Sequence, residues 1–153
     1  MELLLALGAV LFLRSVVRRG ASASGAGSGP LDNITEASAQ FEGFYQPNSV
    51  AQRYNNPDNV KGDWPGVVGH TSSGIAIFDD VGDGWDAAHS WFYQQEQQHP
   101  DWTFSQLFAK FLGDLNGNPV NNDQGNSENY ANYVANYLGV PPDSRVTDYT
   151  GDY

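Results

Sequence analysis

The chain has no cysteine, so it holds no disulfide framework, no thiol nucleophile and no cysteine metal site. Basic residues are scarce. The 153 residues carry 7 Lys and Arg against 18 Asp and Glu, a formal net charge of -11. That balance excludes a nucleic-acid or anionic-membrane surface for the body of the protein. His70, His89 and His99 lack the spacing of metal ligands. Asp114-x-Asn116-x-Asn118 opens like a calcium loop, but Pro119 stands where that loop needs Gly and Gly125 where it needs Glu. Gly25 to Gly29 carries no Lys, so it is a linker and not a phosphate loop. No cofactor and no metal are expected. Ser72 and Ser73 lack the context of a nucleophile elbow. What is plentiful is aromatic and amide side chains, with Trp 4, Tyr 8 and Phe 8. Such a surface suits carbohydrate contact, and equally a virion component.

Leu3 to Leu13 is almost continuously apolar, with Val16 and Val17 beyond Arg14. Residues 1–19 are therefore expected to form a hydrophobic anchor helix, docking on membrane or coat protein through residues 3–17. A membrane span needs about 20 apolar residues, and this run reaches that only with Arg14 snorkelling. Arg14, Arg18 and Arg19 follow the run, whereas a signal peptide has its basic residues in front. The positive-inside rule then keeps the rest of the chain on the cytoplasmic side. Residues 20–30, GASASGAGSGP, read as a flexible linker. A domain over 31–146 and a loose acidic tail over 147–153 complete the expected layout.

Within the domain, hydrophobic spacing predicts four helices and a hairpin, an α+β and mainly helical fold. Asn33 to Phe44 reads as the first helix, with Asn33 and Glu36 as a capping box and Ile34, Ala37, Phe41 and Phe44 facing the core. Gly74 to Phe78 reads as a strand that pairs with Val67 and Val68. A second helix is expected from Asp83 to Gln98, with Trp85, Ala88, His89 and Phe92 on one face. A third runs from Thr103 to Leu112, with Phe104, Leu107, Phe108 and Phe111 as its buried stripe. The fourth starts at a Ser127 cap, carries Tyr130, Tyr133, Val134, Tyr137 and Leu138 inward or along a groove, and stops at Gly139.

Glu42 is the candidate for chemistry. It falls at the end of the first helix, where the negative pole of the dipole disfavours ionisation. Phe41 and Phe44 beside it would add desolvation, and both effects raise a carboxyl pKa. An acid still protonated near neutral pH can protonate a leaving group. On helix grammar alone the ordinary reading is a solvated glutamate at a helix end. A second carboxylate is left open among Asp58, Asp63, Asp79, Asp80 and Asp83.

The string QFEGFYQPNSVAQRYNNPDNV resembles a motif, "FEG" then "A-x-R" then "NNPGN", of a family of bacterial and phage proteins often described as phage structural proteins. The resemblance continues through Gly74 to Phe78, Asp83-Gly84-Trp85, Thr103 to Phe111, Asn122-Asp123 with Tyr130, and Leu138-Gly139-Val140. That family in turn resembles the lysozyme-like superfamily, with its lytic transglycosylases and glucosaminidases. The resemblance implies a small lysozyme-like domain in which Glu42 is the general acid and then the base. It implies that the loop with Asn55, Asn56 and Asn59 supports the cleft and binds acetamido groups. Tyr45, Trp64 and Tyr130 are the candidate aromatic wall. This chain departs from the pattern at Asp58, where the family has Gly, at Tyr54 in place of Asn, and by an insertion over residues 116–124.

The function these features lead to expect is a virion-associated, peptidoglycan-cleaving enzyme of lytic transglycosylase or muramidase type, tethered by its N-terminus. Transglycosylase chemistry is favoured because it needs one acid, whereas hydrolases usually need two. The other reading is a non-catalytic phage structural protein that links capsid to membrane or coat. The expected location is the virion, with the domain on the cytoplasmic side of the host membrane during assembly.

Overall fold

The structure, a computed structural model, describes residues 29–122 and 125–151. The anchor helix expected over residues 1–19 and linker residues 20–28 lie outside the described residues. Among the described residues no helix is long and apolar enough to cross a membrane. The fold is α+β.

Helix α1 is Pro30–Phe41. It begins earlier than the expected Asn33 because Pro30 occupies the first turn, where its fixed φ fits and its missing N–H is no loss. The Gly29 amide donates to the Asp32 carboxylate at 3.1 Å, so Asp32, and not Glu36, completes the N-terminus. Gly29 and Pro30 thus belong to the domain and not to the linker. The helix stops at Phe41, with Glu42 at its C-terminal cap and Gly43 at φ 76°. Gly43 takes the left-handed conformation that turns the chain out of a helix.

A short helix that sequence spacing did not reveal, α2 (Val50–Arg53), is capped by Ser49. The expected hairpin forms from β1 (Val67–His70) and β2 (Ala76–Phe78), antiparallel, with a bulge between Val67 and Gly69. Helix α3 is Val81–Gln98, capped by Asp80, and α4 is Phe104–Phe111. The Thr103–Gln106 capping box is present at the start of α4. A second small hairpin, β3 (Asn121–Asn122) and β4 (Gly125–Asn126), precedes α5 (Ser127–Leu138). The cap of α5 is Asn126 and not Ser127. Asn126 accepts from the Asn129 amide at 2.9 Å, while the Ser127 hydroxyl accepts from the Val120 amide at 2.8 Å. Gly139 closes α5 at φ 74°.

The end of the chain is not a loose tail through residue 150. Helix α6 (Val146–Thr150) packs onto the domain, with Val146 and Thr147 buried. The Thr147 hydroxyl donates to the Pro100 carbonyl at 2.8 Å, and Thr150 bonds Glu96. Val146 and Tyr149 supply the apolar contacts that the tail's acidic composition concealed.

One core gathers Ile34, Ala37, Phe92, Phe104, Leu107, Phe108, Tyr130 and Val134 between the helices. A second, smaller one lies under the first hairpin and holds Val60, Ala76, Phe78, Ala87 and Ala88. Trp91 and Phe111 pack against both. Phe41 was expected inside, yet it is 40% exposed. Its ring stacks on Tyr130 at 4.0 Å and caps that residue instead of entering the core. Tyr133 and Tyr137 are likewise exposed, so the inward face of α5 is Tyr130, Ala131, Val134 and Ala135. Leu107 is 2% exposed in the main core. Leu107→Ala is expected to destabilise by about 3 kcal/mol, from lost transfer energy plus a residual cavity. Denaturant unfolding checks this, and a loss below about half a kcal/mol would place α4 outside the core.

Candidate active site

The site is built by the loop that follows α2. Asn55 and Asn59 adopt φ 52° and φ 50°, the left-handed region that asparagine tolerates better than most residues. The Asn55 amide nitrogen donates to the Phe78 and Asp79 carbonyls at 3.1 and 3.2 Å. Asn56 is fully buried. It donates to the Val60 and Ala76 carbonyls at 2.9 and 2.8 Å and accepts from the Val60 amide at 2.9 Å. These two asparagines tie the loop to β2, so their amides serve the loop and not a ligand. The resemblance's Gly position, here Asp58, has no positive φ. The turn therefore accepts a side chain there.

The loop's product is the placement of Asn59. Its amide nitrogen donates to Glu42 Oε2 at 2.7 Å, across from the end of α1. Tyr130 reaches the same carboxyl from α5. The Tyr130 hydroxyl shares a 2.7 Å hydrogen bond with the Ser38 hydroxyl. Burial pushes the Glu42 pKa up, and the hydrogen bonds from Asn59 and Tyr130 pull it part of the way back. Burial likewise holds the Tyr130 phenol well above its ordinary range, helped by the nearby Glu42 and Asp58 carboxyls. Tyr130 is thus a neutral hydrogen-bonding group at any ordinary pH.

Glu42 lies between two cavities. One, of about 200 Å³, is lined by Phe41, Tyr130, Leu112, Asn126 and Asn129. The other, of about 450 Å³, is lined by Asn59, Ser73, Trp91, Phe111, Leu112 and the two lysines. Among the described residues, Glu42 is the one acidic side chain on either wall.

The structure thus brings together Glu42, Asn59 and Tyr130. It places Tyr45 and Trp64 on neither cavity wall. Tyr45 is exposed and donates to Glu36 at 2.8 Å. Trp64 donates to the Lys61 carbonyl at 2.9 Å and packs on the core under the hairpin. Sequence reasoning did not single out Ser38, Trp91, Lys61 or Lys110, which come to the site only through the tertiary packing.

Asp58 is the unusual member of the neighbourhood. It is fully buried, and neither of its carboxyl oxygens has a hydrogen bond of ordinary geometry. Burial raises its pKa well above the usual carboxylate range. The nearby Ser38 hydroxyl opposes that shift, and Glu42 and Glu36 add to it. Because the folded-state pKa lies above the unfolded one, the folded protein holds a proton that the unfolded chain releases. Stability from this group is therefore greatest at low pH and falls as pH rises from the unfolded pKa through the folded one. Asp58→Asn keeps the shape and cannot ionise. It is expected to stabilise the domain at pH 7, because it removes the cost of holding a carboxyl protonated above its unfolded pKa. It should also flatten the fall in stability above pH ~4, where an unfolded aspartate ionises. Thermal melts across pH check this; an Asn variant that is less stable than the parent at pH 8 would show that the carboxylate is compensated.

Among the described residues no group of three or more His, Asp or Glu forms a metal site. Comparison with protein-family models, curated proteins and solved structures finds no match for this chain.

Proposed function

We propose that the domain is lysozyme-like in function and cleaves peptidoglycan glycan strands by transglycosylase-type chemistry, with Glu42 as its acid. The observation that carries this is a single partly desolvated carboxyl, oriented by the Asn59 amide and set between two cavities. Protonated Glu42 gives its proton to the glycosidic oxygen as the C–O bond breaks. The resulting carboxylate then takes the proton of the sugar's own 6-hydroxyl as that oxygen closes on C1. The product ends in an anhydro sugar, and Glu42 regains its proton. Asp58 is sealed from ligand, and among the described residues no other acid lines the cavities, which favours this one-acid route over a two-carboxylate hydrolase. Tethering through residues 3–17 to membrane or coat of a phage particle completes the proposal.

Digestion of purified peptidoglycan by the full chain tests it, with mass spectrometry of the products. Anhydro-muramic ends are expected. Reducing ends would mean that water attacks, and intact peptidoglycan would leave a structural role in a virion as the surviving reading.

A further inference from the structure

Asp58 takes no part in the one-acid route, yet it adjoins Asn59, the residue that holds Glu42. Its carboxyl is fully buried, and neither oxygen has a hydrogen bond of ordinary geometry. It stands where the resemblance has Gly, so this chain adds a carboxyl that the motif lacks. The polar group beside it is the Ser38 hydroxyl of α1, itself buried. Ser38 shares its 2.7 Å hydrogen bond with the Tyr130 hydroxyl of α5, and either oxygen can be the donor. Tyr130 in turn reaches Glu42. Two carboxyls thus stand at the ends of a buried row of two hydroxyls.

Each hydroxyl has one hydrogen to give. The row has three links, Asp58 to Ser38, Ser38 to Tyr130 and Tyr130 to Glu42, and the hydroxyls fill only two of them. A carboxyl must fill the third. When Asp58 does so, it donates to Ser38, Ser38 donates to Tyr130 and Tyr130 donates to Glu42. The hydrogen on Glu42 is then left for the cavities. When Asp58 is ionised, Ser38 donates to Asp58 and Tyr130 to Ser38. Glu42 must then close the row with its own hydrogen, turned inward.

We propose that Asp58 is a positioning residue for Glu42, whose own proton sets the direction of the Ser38–Tyr130 row and so keeps the acid hydrogen of Glu42 facing the glycan. The inference rests on the glycan-cleaving reading and adds to it a carboxyl that never touches substrate. Burial favours the neutral form of Asp58, and the Glu42 and Glu36 carboxyls push the same way. The other titratable groups facing the row are Tyr45 near Asp58, and Lys61 and Lys110 on the cavity wall they share with Glu42.

The test uses the full chain without glycan. Infrared spectra at pH 7 should contain the band of a protonated buried carboxyl, and Asp58→Asn should remove it. NMR of the Glu42 side-chain carboxyl, assigned with Glu42→Gln, should show two steps as pH rises, its own ionisation and then that of Asp58. Asp58→Asn, whose amide can donate to Ser38 at every pH, should keep the first step and lose the second. Ser38→Ala interrupts the row and should lose the second step as well. A second step that survives in Ser38→Ala would mean that the carboxyls interact through space alone, which overturns the proposal. Absence of the infrared band, or a single step in the unmodified chain, overturns it too. These readouts are independent of cleavage. A two-step titration in a protein that leaves peptidoglycan intact keeps the row and removes the enzyme. Cleavage by a protein whose Glu42 titrates in one step does the reverse.

Discussion

Replacing Glu42 by glutamine is expected to lower peptidoglycan cleavage by about 10²–10⁴-fold, the usual worth of a positioned general acid. The substitution is nearly isosteric. The Asn59 amide can still donate to the remaining carbonyl oxygen, so the end of α1 and the asparagine loop keep their contact. What is lost is the transferable proton. Burial raises the Glu42 pKa, and the reaction needs its protonated form. The rate of the unmodified protein should therefore fall as pH rises through that raised pKa. The residual rate of Glu42→Gln should lack this alkaline limb. Rates measured against pH for both proteins, with circular dichroism to verify the fold, decide the matter. A folded Glu42→Gln protein with undiminished activity would sink the catalytic reading.

The helices and first hairpin were legible because their signals are local. The Thr103–Gln106 cap, the Phe104/Leu107/Phe108 stripe and the Gly139 stop each lie within a turn or two of the element they define. Glu42 was legible for the same reason, since it marks a helix end that Gly43 enforces. Its meeting with Asn59 joins residues 17 positions apart, and sequence suggested it through the resemblance and through an asparagine-rich turn within a loop's reach of the helix end. Tyr130 is 92 positions from Ser38, and no spacing rule connects them. The same limit hid the roles within the asparagine loop. Asn55, Asn56 and Asn59 look alike in sequence, yet two of them hold β2 and one holds the acid. The starts of α1 and α5 were misjudged where two capping residues competed, and α3 starts at Val81, two residues before the expected Asp83, because Asp80 caps it. The misread end of the chain failed for another reason. Asp148 is exposed, while Val146 and Tyr149, a helical turn apart, carry the packing.

Gly84→Ala is expected to be among the most damaging single changes in the domain, at about 3–5 kcal/mol, the scale of severe overpacking. Gly84 is buried in the first turn of α3, where the helix crosses the asparagine loop. A Cβ at Gly84 would meet the backbone oxygen of Asn55 and, at 3.0 Å, the Pro57 ring. Neither neighbour can yield easily. Asn55 is already committed to the left-handed region and to two carbonyls of the β2 end, and Pro57 has a fixed φ and is fully buried. Relief must come from moving α3 away from the loop or the loop away from β2. Either movement carries Asn59, four residues beyond Asn55, away from Glu42. The chemistry should suffer beyond the loss of stability, because an acid that loses its orienting amide spends less time aligned with the glycosidic oxygen. The expected result is a lowered melting temperature, with the cleavage rate of the remaining folded protein reduced as well. Measuring that rate well below the melting point separates the two effects. Gly84→Ala with unchanged stability would mean that α3 and the loop do not approach this closely. A destabilised variant with full activity when folded would mean that the loop does not orient Glu42.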